Sequence, residues 1–164
     1  MKTVIIGVGN PVLTDDGVGI HVAERLRKVL PAESGVTVRT AFAGGMRLMD
    51  AMLGFDRAII VDALGTGENP PGTVVRLGTQ DLHRARNAAP AHDLDLPVAL
   101  DFATRAGVKV PSEIEAWGVE IDDATTVGKD LTPAVRAAMP HVVGEICRSV
   151  QRSTTPQRGE IFGL

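Results

Sequence analysis

The apolar positions of this chain fall into two alternating patterns, unbroken β-branched runs and stripes at helical spacing. Thr3–Val8 (TVIIGV) and Arg57–Ala63 (RAIIVDA) are runs of the kind found in strands buried on both faces. Val36–Phe42, Thr73–Leu77 and Glu113–Glu120 read as three further strands, the last with apolar and polar residues alternating. Between them, Val18, Val22, Leu26, Val29 and Leu30 form the apolar stripe of a first helix, which Asp15 or Asp16 is placed to cap. Gly45–Leu53 is a short helical segment. Leu94–Ala106 is a longer one, with Asp95 as its cap, Pro97 in its first turn and Gly107 ending it. Thr132-Pro133 opens the last helix, whose stripe is Val135, Met139, Val142, Ile146 and Val150, with Pro140 expected to bend it.

Residues 78–92 show no clear period, and residues 151–164 are polar, contain Pro156 and Gly159, and read as a frayed tail. No linker or internal repeat divides residues 1–150, which predicts one domain. Strands alternating with helices predict an α/β fold, its parallel or mixed sheet covered on both faces. Ligands in such sheets bind beyond the carboxyl ends of the strands, where the strand order reverses.

Composition narrows the classes. The chain has 164 residues, 44% of them hydrophobic and 23% charged, which suits a globular domain with an ordinary core. Its 17 basic and 20 acidic residues give a net charge of −3 and form no basic stripe, so nucleic acid is not an expected partner. The single cysteine, Cys147, cannot close an intramolecular disulfide and suggests a reducing compartment. The apolar run at the N-terminus is too short for a signal peptide, and no stretch approaches the roughly 20 apolar residues of a membrane helix. A cytoplasmic protein that does not engage a membrane is the expectation.

Three residues stand where chemistry is expected. Asp16 follows the first strand, Asp62 ends the other strongly buried strand, and His92 lies in a loop returning toward the same rim. Two carboxylates and an imidazole suit a divalent transition metal with open coordination positions. Spacing alone favours a plainer reading, with Asp15 and Asp16 as helix caps, Asp62 as a turn former and His92 as a solvated loop residue. Other candidates carry less. Gly7-Val8-Gly9-Asn10-Pro11-Val12 fails as a dinucleotide loop, because Val12 stands where the third glycine belongs and Pro11 breaks the turn. No nucleotide cofactor is therefore expected. His141 and Glu145 are one helical turn apart and suit a surface pair, while His21 and His83 have no evident metal partner. Cys147 suits a small packed hydrophobe on the last helix, and no serine stands in a nucleophile elbow.

The stretch GVGNPVLTDDGVG at Gly7–Gly19 resembles the opening signature of the hydrogenase maturation proteases: G-x-G-N, then Leu, then paired acids and Gly. Asp62 in Ile59-Ile60-Val61-Asp62-Ala63, His92 in AHDLDLP, and Gly118-Val119-Glu120 with the later Leu131-Thr132-Pro133 extend the resemblance over most of residues 3–150. It implies a three-layer α/β/α fold with a five-stranded, mostly parallel sheet. It further implies a cytoplasmic endopeptidase that trims the C-terminal extension from the large-subunit precursor of a nickel–iron hydrogenase. Asp16, Asp62 and His92 would then contact nickel supplied by the substrate. The family's D-G-G-T-like loop is replaced here by Thr40-Ala41-Phe42-Ala43-Gly44-Gly45. The competing readings are a metal-dependent hydrolase of a small substrate, which would retain its own metal, and a non-catalytic nickel or precursor chaperone.

Overall fold

The computed structural model describes residues 1–42, 46–87 and 96–154. Along the chain run β1 (Thr3–Val8), α1 (Val18–Val29), β2 (Val36–Ala41), α2 (Met46–Met52), β3 (Arg57–Leu64), β4 (Val74–Leu77), α3 (Leu96–Arg105), β5 (Glu113–Glu120) and α4 (Pro133–Thr154). Short 3-10 turns lie at Thr14–Gly17, Ala32–Ser34 and Thr79–Arg84. The strands form a single five-stranded sheet in the order β2-β1-β3-β5-β4, with every pairing parallel except β4 against β5. This is the expected three-layer architecture.

Strand alternation sends successive side chains to opposite layers. Val4, Ile6 and Val8 of β1, with Ala58, Ile60 and Leu64 of β3, pack with Leu48, Met52, Leu96 and Ala99 of α2 and α3. Ile5, Ile59, Val61 and Ala63 face the other way, toward Val18, Val22 and Leu26 of α1 and Val135, Val142 and Ile146 of α4. All of β1 and β3 is buried, as their unbroken apolar runs require.

Several elements differ in detail from the sequence reading. β3 continues past Asp62 to Leu64, pairing Asp62 with Gly118, so Asp62 sits within the ladder and forms no turn. Val29 is 44% exposed and does not join the buried stripe of α1, because the helix ends there and only Leu30 turns back toward the core. The unpatterned stretch 78–92 contains the 3-10 turn Thr79–Arg84, whose Leu82 packs into the core. α4 reaches Thr154, four residues into the segment read as tail. Asp95 and the remainder of the tail, 155–164, lie outside the described residues. Among the described residues, no helix is long and apolar enough to cross a membrane.

The alternation in β5 hides a buried polar hub. Glu115 is 3% exposed and accepts from Arg57 Nη2 (2.6 Å), Ser149 Oγ (2.7 Å) and Trp117 Nε1 (2.8 Å). Arg57, at the start of β3, also meets Ser149 Oγ at 2.6 Å and Glu113 at 2.9 Å. This hub ties β3, β5 and α4 together at the sheet end away from Asp62. Burial works to raise the Glu115 pKa, but the bonds from Ser149, Arg57 and Trp117 outweigh it and hold the carboxyl below its usual value of 4.5. A depressed folded-state pKa gives stability that is present above the unfolded value and lost as pH falls through the folded one. Urea midpoints measured from pH 6 down to pH 3 should therefore fall more steeply for the wild type than for Glu115→Gln. Parallel acid profiles would show that this carboxylate contributes nothing to the acid limb.

Candidate active site

The strand order reverses at β1, whose following strand lies on one side and whose next neighbour, β3, lies on the other. Such a switch point opens a crevice beyond the carboxyl ends of the two strands. Asp16 reaches it from the loop after β1 and Asp62 from the last turn of side chains on β3, and both are almost fully buried.

The path from β1 to Asp16 depends on close backbone approach. A Cβ on Gly9 would lie 2.2 Å from the Asp16 carbonyl oxygen, and one on Gly19 would lie 2.2 Å from Val8 O and 2.4 Å from Val61 O. The glycines of GVGN and DGVG therefore let the 3-10 turn and α1 sit directly on the ends of β1 and β3. Thr14 adopts φ 43°, in the left-handed region, and is held there by its N–H on Gly128 O (2.9 Å) and its hydroxyl on Thr126 O (2.6 Å). A threonine in this region costs on the order of 1 kcal/mol or more, which these loop contacts must offset.

The adjacent acids part company. Neither caps α1, whose N-cap is Gly17 with no side-chain bond, because the intervening 3-10 turn aims both carboxylates sideways. Asp15 is fully buried and accepts from Asp122 N and Asp123 N (both 3.1 Å), Thr132 N (2.7 Å) and Thr132 Oγ1 (2.7 Å). It thereby clamps the loop between β5 and α4. Asp123 extends the clamp by accepting from Thr126 and Thr125, bonds that lower its pKa to about 2.

Asp16 turns into the crevice. Its Oδ1 accepts from Arg86 Nε at 2.7 Å and from Asn87 Nδ2 at 3.0 Å, and its Oδ2 meets Asn10 N at 3.3 Å. Asp62 Oδ1 accepts from the same Asn87 Nδ2 at 2.9 Å and from Ala63 N at 2.7 Å, and its Oδ2 accepts from Asn87 N at 2.6 Å. One carboxamide thus bridges the two carboxylates. Residues 85–87 are held along the end of β3 by the Leu64–Ala85 bridge and by Arg86 N on Ala63 O (2.8 Å). Arg86 and Asn87 were not singled out from sequence. They lie in the stretch 78–92, which shows no hydrophobic period that could place them.

The structure brings Asp16 and Asp62 together, while His92 lies outside the described residues. Among the described residues, no group of three or more His, Cys, Asp or Glu is arranged to hold a metal ion. The pair nonetheless offers oxygen donors, and a carboxylate there could accept a proton from water. The other candidates fall elsewhere. His141 is exposed on α4, and Glu145 pairs with Arg148 beyond it. His83 Nδ1 lies 3.0 Å from Gln80 O in the 3-10 turn, and His21 is half-buried on α1. Cys147 packs against the α1/α4 core cluster, and burial raises its thiol pKa, which suits an inert side chain. Ser149, near the chain's end in sequence, belongs to the Glu115 hub.

A sequence model of the HycI hydrogenase maturation protease family matches residues 20–149, a span that takes in Asp62 and His92 but begins after Asp16. The chain belongs to this family. It is a peptidase by membership, a hydrolase acting on peptide bonds. Hydrogenase 2 maturation protease of Escherichia coli strain K12 is 28% identical over 154 residues, covering 93% of both chains. Hydrogenase expression/formation protein HupD of Thiocapsa roseopersicina is 26% identical over 165 residues, covering 93% of this chain and 74% of that protein. The structure of hydrogenase maturating endopeptidase HybD from E. coli superposes with a TM-score of 0.77 at 27% identity, over 94% of each chain.

The division between the two neighbouring acids in this maturation protease is measurable. Asp15→Ala strips a partner from four part-buried donors and should lower unfolding stability by about 3 kcal/mol in urea titrations. Asp16→Ala should change stability far less, since Arg86 is partly exposed and can turn to water. Equal losses would contradict separate roles.

Proposed function

We propose that this maturation protease removes the C-terminal extension of a nickel–iron hydrogenase large-subunit precursor, in the cytoplasm, after nickel has been inserted. Asp16, Asp62 and His92 are the residues we assign to the reaction. The observation that carries the reading is the convergence of two buried aspartates at the β1/β3 switch point of a chain from this family. The nickel belongs to the substrate. Asp16, Asp62 and His92 lend further ligands to an ion the precursor already holds, and this makes metal insertion the condition for cleavage. One of the two carboxylates then takes a proton from the attacking water as its oxygen bonds to the scissile carbonyl carbon. It passes that proton to the amine nitrogen as the C–N bond breaks, the task of an aspartyl-type peptidase.

A protein substrate also fits the rim. Val12, Phe42 and Val127 are 48%, 62% and 80% exposed. Gly9 N donates to Ala41 O, beside Phe42, and Gly128 N, next to Val127, donates to Val12 O, so the three lie in joined segments around the crevice. Exposed apolar groups rimming a polar centre suit docking of a folded partner. Phe42 stands where the family loop differs in this chain, so we assign it to recognition of this enzyme's own client.

Incubation with nickel-loaded precursor should release a short C-terminal peptide visible by mass spectrometry, and the metal-free precursor should stay intact. Asp16→Ala, Asp62→Ala and His92→Ala should each slow release by about 100-fold or more. Trimming by any of the three at the wild-type rate would remove that residue from the mechanism. Phe42→Ser should raise KM for the precursor several-fold with kcat nearly unchanged. A fall in kcat at constant KM would instead place Phe42 in the chemistry.

A further inference from the structure

We propose that Asn87 is a placeholder for the cation. In the protein alone its carboxamide bridges Asp16 and Asp62, the pair assigned to receive the substrate's ion, and it withdraws when that ion arrives. The inference rests on the reading of these aspartates as metal-facing residues and adds what guards them beforehand.

The geometry is specific. Nδ2 spends one hydrogen on Asp16 Oδ1 at 3.0 Å and the other on Asp62 Oδ1 at 2.9 Å. A carboxamide nitrogen only donates, so this end of the side chain cannot itself ligate a metal. Metal–oxygen bonds run to about 2.0–2.2 Å, much shorter than these N–H···O arms. Asp16 and Asp62 would hold such an ion through their carboxylate oxygens, and Nδ2 would have to give up the space between them. Arg86 Nε adds a positive charge on the same Asp16 oxygen, at 2.7 Å, which opposes an incoming cation further. The backbone at 85–87 is fastened to β3, so the group that must move is the Asn87 side chain.

A free divalent ion must therefore break both amide bridges and overcome the guanidinium before it gains two carboxylates. An ion carried in by a docked precursor keeps its existing ligands and competes at the raised effective concentration of a tethered group. The placeholder thus reserves the aspartate pair for a loaded substrate and keeps stray metal out of it. It also leaves each carboxylate with a hydrogen-bond donor until the substrate arrives.

The test uses the tag-free protein without precursor. Ni2+ binding measured by calorimetry should be about tenfold or more tighter for Asn87→Ala and Asn87→Ser than for the wild type, the equivalent of one lost competing bond. Adding Asp16→Asn to either variant should abolish the gain. Unchanged or weaker Ni2+ affinity in either variant, at a wild-type melting temperature, overturns the proposal. The wild type gives an independent readout. In a 15N-labelled sample titrated with Zn2+, the Asn87 side-chain amide signals should leave their hydrogen-bonded positions as the aspartate signals titrate. Amide signals that stay fixed while both aspartates shift overturn it equally. Neither measurement involves proteolysis. Tightened Ni2+ binding in a protein that trims no precursor retires the proposed function alone. Asp16-dependent trimming without the gain in binding retires the placeholder alone.

Discussion

Two carboxylates buried side by side repel one another, and each loses hydration it would have had in water. This crevice can hold Asp16 and Asp62 only because donors converge on them: a shared carboxamide, a guanidinium, and the main-chain N–H groups of Asn10, Ala63 and Asn87. Those donors come from three separated stretches of chain, which meet only where β1 and β3 run parallel. The strand order is thus a condition of the site as well as its frame. Were β1 and β3 apart in the sheet, each acid would need its own compensation, and no single group could span both.

Holding those stretches together imposes a second constraint, backbone-to-backbone proximity. Gly9 and Gly19 allow the loop and α1 to sit within a Cβ's radius of main-chain oxygens, and Thr14 is held in a left-handed turn by the segment 126–128. The glycine-rich signature works here as a spacing device. It resembles a phosphate loop in composition, yet its amides and carbonyls are occupied by the protein's own turn. The carbonyl of Asp16 fills the space above Gly9.

The fold was largely legible because its signal is strong: two fully buried strands, helical stripes at regular spacing, and turn residues between them. All five strands lie within a residue or two of where the pattern puts them. The Asp16–Asp62 juxtaposition followed from the rule about strand ends, with no local motif required. Polar partnerships were not legible. Arg57, Glu115 and Ser149 are distant in sequence and no local pattern pairs them, yet they share one buried cluster. Asp15 and Asp16 look alike by every local criterion, and only the 3-10 turn decides which faces the β5–α4 loop and which faces the crevice. Arg86 and Asn87 have no period to announce them. Hydrophobic spacing encodes layers, whereas hydrogen-bond partners depend on tertiary distances that no short window contains.

The two buried polar clusters divide the labour along the sheet. At the end where β3 begins, Glu115 receives bonds from an arginine, a serine and a tryptophan and sits among fixed elements, so moving any one partner strands a buried charge. At the end where β3 finishes, the donors to Asp16 include a partly exposed arginine and a side-chain amide, groups that water can receive if they leave. The first arrangement is costly to rearrange and belongs to stability. The second is satisfied as it stands, and its donors can give way to a cation because water receives them when they leave. In the proposed function the metal arrives on the precursor, and that reading calls for the second kind of compensation.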